Sequence, residues 1–412
     1  MKKYNSKLSL LATAIILLVT SCNKNQDKMV STDDHPASLT ETMMSENGSN
    51  PDETTIADQA KTSLDQNKRF GSSKSGHYLY TESNENAGNN IMVYSINYNG
   101  SLQWNSNTAS GGMGTGAPLG SQGALTISKD HKWLFAVNAS SNTVSSFSIH
   151  DDGSLMLVCT KKSWGKTPVS VSNYHNMLYV LNRGSDNIHG FWVGNDGMLS
   201  DIDGSTKPLS GMGVDAPQIS FTPDGDFIVV PEKATNMIGT FKLMNDGTTS
   251  HGIFNPSVGH TPFGFEFARN KFMIISNAEM GAAGAGTGTS YTIWPNGKIK
   301  DVNGARPNYQ AAPCWVAVTM HGRFAYMTNT ATNNISSYYV APWGGLYLAE
   351  SSAAETGKGP LDIVVADNNF YVYVLNSGSN NISIHYRKLF GQLGSSGTTK
   401  PLPKPTTGLA TF

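Results

Sequence analysis

Seven times along this chain a tight turn ends in glycine: Gly100, Gly153, Gly197, Gly247, Gly297, Gly344 and Gly391, spaced 44 to 53 residues apart. Around each turn the segments come in the same order. A short apolar run ends on a polar residue, usually Asn; a gap follows; a second apolar run leads into the turn, and a hydrophobic residue comes after it. Residues 134–138, 178–182, 324–329 and 371–376 are first runs, and 142–149 and 334–340 are second runs. β-Branched and aromatic residues fill these runs and turn formers bound them, so they read as strands. None is long enough for a typical helix. A repeat of this length built from short strands is a β-propeller blade, and seven repeats predict seven blades.

The turns themselves carry Asn99-Gly100, Asp152-Gly153, Asp196-Gly197, Asp246-Gly247 and Asn296-Gly297. Such pairs suit a type I′ turn, with positive φ at both central positions, and predict a tight hairpin between the second run and the strand that follows. A Pro-marked segment precedes most first runs: Thr167-Pro168, Ala216-Pro217, Thr261-Pro262, Ala312-Pro313 and Gly359-Pro360. Proline suits the first residue of a strand, so these segments read as the innermost strands. Blade 1 has none before Tyr78. The stretch 405–410 resembles one, which predicts a ring closed by pairing the two chain ends and thus free of exposed edges.

The N-terminus reads as a processing segment. Lys2, Lys3 and Lys7 precede an apolar core over 8–19, too short to favour a membrane span. It ends Leu18-Val19-Thr20-Ser21-Cys22, which resembles a bacterial lipobox. That resemblance implies a signal peptide over 1–22, lipidation at Cys22 and a membrane-anchored envelope protein. Asn23 after the Cys, where Asp would favour inner-membrane retention, points to the outer membrane. Residues 23–69 hold no aromatic residue and are rich in polar and charged ones, so they read as a disordered tether. The propeller is assigned to 70–412, as a monomer. A net charge of −1 offers nothing to a nucleic acid. Cys159 and Cys314 fall in different blades and are expected to be buried free thiols.

No nucleophile elbow, zinc motif or phosphate loop is present, and neither cofactor nor metal is expected. The Gly-rich stretch 111–116 lacks the strand–helix setting of a dinucleotide fingerprint. In an up-and-down blade the Pro segments and the ends of the first runs share one mouth of the central channel. Glu82, Asn138, Asn182 with Arg183, Glu232 with Lys233, Asn277 with Glu279, Asn329 and Asn376 would ring that mouth. Asn at a strand end is also a favoured turn former. The glutamates are harder to assign to structure, because a buried carboxylate is costly without a partner.

These residues resemble the lactonase-type seven-bladed propellers, the superfamily of bacterial 6-phosphogluconolactonase and fungal carboxymuconate cyclase, and within it a secreted bacterial subgroup. The stretches 216–225, 232–236, 261–265, 314–319 and 408–410 carry the likeness. It implies the propeller fold and, as activity, hydrolysis of a sugar or carboxylic lactone. Glu232 or Glu279 would then activate water while Lys233 or Arg183 stabilises the oxyanion. Asn138, Asn182, Asn277, Asn329 and Asn376 would contact the ligand. Active members carry Pro-Arg-His where this chain reads Pro262-Phe263-Gly264. A second reading therefore stands beside the first: a non-catalytic envelope propeller that binds a glycan, peptide or protein at the same mouth. The Gly-rich loop 281–288 is expected to act as a lid over it.

Overall fold

A computed structural model describes residues 76–412; the leader, Cys22 and the whole polar segment assigned as a tether lie outside the described residues. The described chain is all-β, with three short 3-10 turns, and forms seven antiparallel sheets. Blades 2 to 7 take their strands consecutively, from 125–162, 168–208, 220–256, 262–307, 313–355 and 360–398. Blade 1 is composite. Its innermost strand is Thr407–Thr411, followed outward by Tyr78–Glu82, Asn90–Ile96 and Leu102–Ala109. Leu79 lies opposite Thr411 and Tyr80 opposite Ala410, and the Tyr78 N–H donates to the Phe412 carbonyl at 2.9 Å. The two ends of the propeller thus close the ring as the repeat count predicted.

The glycine turns join the third and fourth strands of each blade, once the Pro strand is counted as the first. Their type differs from expectation. At the blade 1 turn, Gly100 N–H donates to Asn97 O and Asn97 N–H to Ser101 O, both at 2.9 Å. Within that turn only Gly100 has positive φ, +78°. This is a three-residue loop, a type I turn closed by a glycine bulge, rather than type I′. The same pair of bonds recurs in blades 2 to 6. The Asn or Asp before the glycine caps the turn with its side chain: Ser101 N–H reaches Asn99 Oδ1 at 3.1 Å and Ser154 N–H reaches Asp152 Oδ1 at 3.0 Å.

Each glycine also lets one blade lean on the blade before it. A Cβ on Gly153 would stand 2.3 Å from the Tyr78 ring, one on Gly100 2.3 Å from Tyr371, and one on Gly344 2.3 Å from Phe272. Tyr80 donates its hydroxyl to Gly153 O at 2.9 Å, and Tyr179 to Gly247 O at 2.7 Å. The aromatic residues that mark the strands in sequence are therefore the inter-blade core, and the glycines are small because those rings cover them.

Pairing registers fix the faces. Pro168 pairs with Asn182, Pro262 with Asn277, Pro313 with Asn329 and Pro360 with Asn376. Inner-strand starts and second-strand ends therefore lie on one face, the mouth, and the glycine turns on the other. In blade 2 the inner strand is only Leu125–Ile127, because the chain before it crosses the channel. There Gln122 Nε2 donates to Val316 O of blade 6 at 2.7 Å, Val316 N–H returns to Gln122 Oε1 at 3.1 Å, and Trp315 Nε1 donates to Ser121 O at 3.0 Å. Cys159 and Cys314 form no disulfide; Cys314 is buried as expected, whereas Cys159 is partly exposed.

Candidate functional site

The segment 119–122 forms a floor across the channel, and two blades place charged side chains above it. Arg183 follows the second strand of blade 3 and Lys233 that of blade 4. Asp215 precedes the inner segment of blade 4. Lys233 Nζ lies 3.0 Å from Asp215 Oδ2, and Arg183 Nε 3.8 Å from Asp215 Oδ1. Arg183 Nη1 also donates to Leu119 O at 2.6 Å, which ties it to the floor. Lys233 Nζ stands 4.5 Å from the centre of the Phe263 ring, contributed by blade 5. The Lys233 side chain is 13% exposed and that of Asp215 50%. Two cations therefore share one accessible carboxylate beside an aromatic face, an excess of one positive charge.

Burial pushes the Lys233 ammonium below the ordinary lysine range; Asp215 opposes that shift and Arg183 adds to it. Burial likewise lowers Arg183, again against Asp215. Cations held in low dielectric are strong stabilisers of developing negative charge, because little water screens them. Asp215 is the half-exposed carboxylate of the cluster.

The structure brings Lys233 and Arg183 together but not the two glutamates. Glu232 is fully buried and turned into the blade 3–4 seam. Its Oε1 accepts from Ser210 N–H at 2.9 Å, and its Oε2 from Ser210 Oγ and from Thr235 Oγ1 at 2.6 Å. Those donors satisfy the carboxylate, so its assignment as a base facing the mouth is corrected. Glu279 is partly exposed, in a 3-10 turn after blade 5's second strand. It accepts from His260 N–H at 3.2 Å and Thr287 Oγ1 at 2.9 Å, and so braces its own loop. That loop is pinned in turn: Gly286 N–H donates to Gln310 O and Asn308 N–H to Gly286 O, both at 2.9 Å.

The five asparagines are also corrected. Asn138, Asn182, Asn277, Asn329 and Asn376 are all fully buried and show no surface to a ligand. They staple the second strand to its own blade. Asn277 Nδ2 donates to Thr287 and Thr289 hydroxyls, Asn329 Nδ2 to Asn334 Oδ1 and Ser336 Oγ, and Asn376 Nδ2 to Ser383 Oγ. Asn138 does the same with Ser145, whereas Asn182 donates to the Ser163 carbonyl, just past the last strand of blade 2. Glu82, at the equivalent place in blade 1, is fully buried. It accepts only from Asn89 Nδ2 at 3.3 Å, and burial pushes its carboxyl well above the usual range. Sequence reasoning missed Asp215, Gln122 and Phe263. The one signal for Asp215 was its place just before the Ala216-Pro217 strand start. Among the described residues no group of three His, Cys, Asp or Glu side chains could hold a metal ion.

The fold defines a seven-bladed propeller with a charged cluster at the strand-start end of its channel. The model of the family described as "Lactonase, 7-bladed beta-propeller" matches residues 73–214 of this chain. A candidate 6-phosphogluconolactonase from Bacteroides uniformis is similar at 18% identity, with a TM-score of 0.66 over 82% of this chain and 99% of that one. The periplasmic gluconolactonase PpgL of Pseudomonas aeruginosa is similar at 17% identity, with a TM-score of 0.64 over 81% and 98%. A protein from Lactobacillus plantarum gives 16% identity and a TM-score of 0.67 over 82% and 99%. At these identities the likeness is one of fold. No curated protein matches the chain.

Proposed function

We propose that the mouth binds and opens a lactone. The observation that carries this is the mostly buried Lys233 ammonium, 3.0 Å from the half-exposed Asp215 and packed on Phe263. Asp215 takes a proton from water as the water oxygen adds to the carbonyl carbon. Lys233 and Arg183 stabilise the negative charge that forms on the carbonyl oxygen. The ring C–O bond then breaks, and the leaving oxygen recovers the proton from Asp215. The product is a hydroxy acid, whose carboxylate suits the excess positive charge. Gluconolactonase activity in the similar Pseudomonas protein makes sugar-acid lactones the first substrates to try.

The test is proton release during hydrolysis of a panel of sugar-acid lactones, corrected for spontaneous opening. Asp215→Asn and Lys233→Met are each expected to lower kcat by about a hundredfold or more, with matching thermal melts to show that both variants fold. Full activity in both mouth variants would end this reading. Phe263-Gly264 where active relatives carry Arg-His favours a second one: a mouth that binds an anionic glycan or peptide without chemistry, read by calorimetry with the same variants. We further propose that Cys22 carries a lipid and holds the propeller at the cell envelope, on the outer membrane. The support is the charged leader, its apolar core and the small residues before the Cys.

A further inference from the structure

The face opposite the mouth is divided. Its exposed parts are the glycine turns and the loops between first and second strands. In blades 2 to 4 these carry seven carboxylates (Asp130, Asp151, Asp152, Asp196, Asp224, Asp226, Asp246), two lysines and no aromatic residue more than partly exposed, with Met198 at 42% and Met244 at 48% as their exposed apolar groups. In blades 5, 6, 7 and 1 the turn tips are Trp294 at 48% exposure, Trp343 at 54%, Leu389 at 41% and Tyr98 at 77%. Five cations stand among them (Arg269, Lys271, Lys298, Arg323 and Lys388) against a single carboxylate, Asp367. Large apolar groups on successive tips, interleaved with cations, form an amphipathic arc on one half of one face.

The chain leads into the propeller on that same arc. His77 O accepts from Ile96 N–H at 2.9 Å, so the described chain begins beside the Tyr98 turn, with 75 residues preceding it. We propose that this arc lies against an anionic lipid bilayer. Trp and Tyr side chains favour the headgroup level, where the ring is half in hydrocarbon and its polar edge in water. Leu389 adds apolar depth, and the lysines meet lipid phosphate. The acidic half is repelled by the same surface, so the propeller sits tilted, with blades 5 to 7 and 1 down. The mouth, on the far face, then opens away from the membrane whatever ligand it takes.

The test is co-sedimentation of the full-length chain with vesicles of phosphatidylcholine alone or mixed with phosphatidylglycerol. Every arm carries Cys22→Ala, so no acyl chain contributes and the leader is common to all. The parent is expected to bind the mixed vesicles. A Trp294→Ser/Trp343→Ser/Leu389→Ser variant should lose on the order of tenfold or more in partitioning. A Lys271→Glu/Lys298→Glu/Lys388→Glu variant should lose a similar factor and its salt dependence. Trp164→Ser, at the mouth, should change nothing. Matching melting curves establish that the variants are folded. Parental binding by either arc variant, or equal loss in Trp164→Ser, overturns the proposal. So does a parent that dimerises in lipid-free sedimentation velocity while the aromatic variant does not, since a second copy would then cover the arc.

Discussion

Blade 7 holds two buried ionisable groups whose effects on stability oppose each other. His385, on the third strand, is almost fully buried with neither ring nitrogen partnered, and burial pushes its pKa down to about 4. Asp362, on the inner strand, accepts from Ile363 N–H at 2.8 Å and Leu409 N–H at 2.9 Å. Burial pushes its carboxyl up to about 7. As pH falls from ~6.5 to ~4, an unfolded His385 takes a proton that the native one refuses, so stability is lost. Over the same window the native Asp362 is protonated while an unfolded one is ionised, so its contribution is present at low pH and lost as pH rises through about 7. Each group contributes a slope of ~1.4 kcal/mol per pH unit, or about 3 kcal/mol across the window. In the parent the two slopes nearly cancel. Urea unfolding between about pH 4.5 and 6.5 should therefore show, for the parent, only the slope of other shifted groups such as Glu82. Relative to the parent, His385→Leu should gain stability as pH falls, and Asp362→Asn should lose it. Parental pH profiles in both variants, whatever their absolute stabilities, would refute the assignment of these shifts to burial.

Gly153→Ala combines a positive φ with a Cβ 2.3 Å from the Tyr78 ring, whereas Gly204→Ala has the same φ with nothing within 4 Å. Thermal melts should show a loss of ~1–2 kcal/mol for Gly204→Ala and a clearly larger one for Gly153→Ala; equal losses would mean the ring yields freely. Deleting Thr406 to Phe412 removes the inner strand of blade 1 and one acceptor bond of Asp362, and should lower Tm by several degrees; an unchanged Tm would show that the closure contributes nothing. Cys22→Ala should move the protein from the membrane pellet to the soluble fraction of fractionated cells, and a variant that still pellets through washing with high salt would refute lipidation at that residue.

The blades were legible because a propeller repeats its punctuation. The glycine turns and the orphan strand near 405–410 are observed where the repeats placed them, and so are four of the five Pro strand starts; Pro217 instead precedes the strand Ser220–Phe221. The turn type was not legible, since Asn-Gly and Asp-Gly serve a glycine bulge as well as a type I′ turn, and loop length decides between them. The site was only half visible. Arg183 and Lys233 follow strand ends on the mouth face, and topology alone placed them there. The strand-end position says nothing about which way a side chain turns. The five asparagines and Glu232 point back into the blades because hydroxyl groups of nearby strands and loops, such as Ser336 and Thr289 or Ser210 and Thr235, supply partners there. Asp215 lies outside the repeated runs, and only the folded ring brings it to Lys233.

The Gln122 bridge has a mechanical consequence. It ties blade 2 to blade 6 across the channel and so divides the ring into two unequal arcs. The short arc, through blades 7 and 1, holds the seam where the chain ends meet. The long arc, through blades 3, 4 and 5, holds Arg183, Asp215, Lys233 and Phe263. Gln122 N–H also donates to Pro217 O of blade 4 at 3.1 Å, and Ser170 Oγ of blade 3 to Gln122 O at 2.7 Å, so the brace is fastened along that arc. Fraying that starts at the termini can spread through the short arc while the long arc remains strapped at both ends. The charged cluster is thereby insulated from the weakest joint in the ring, and amide hydrogen exchange should run faster at Tyr80 and Val374 than at Val180 and Val230.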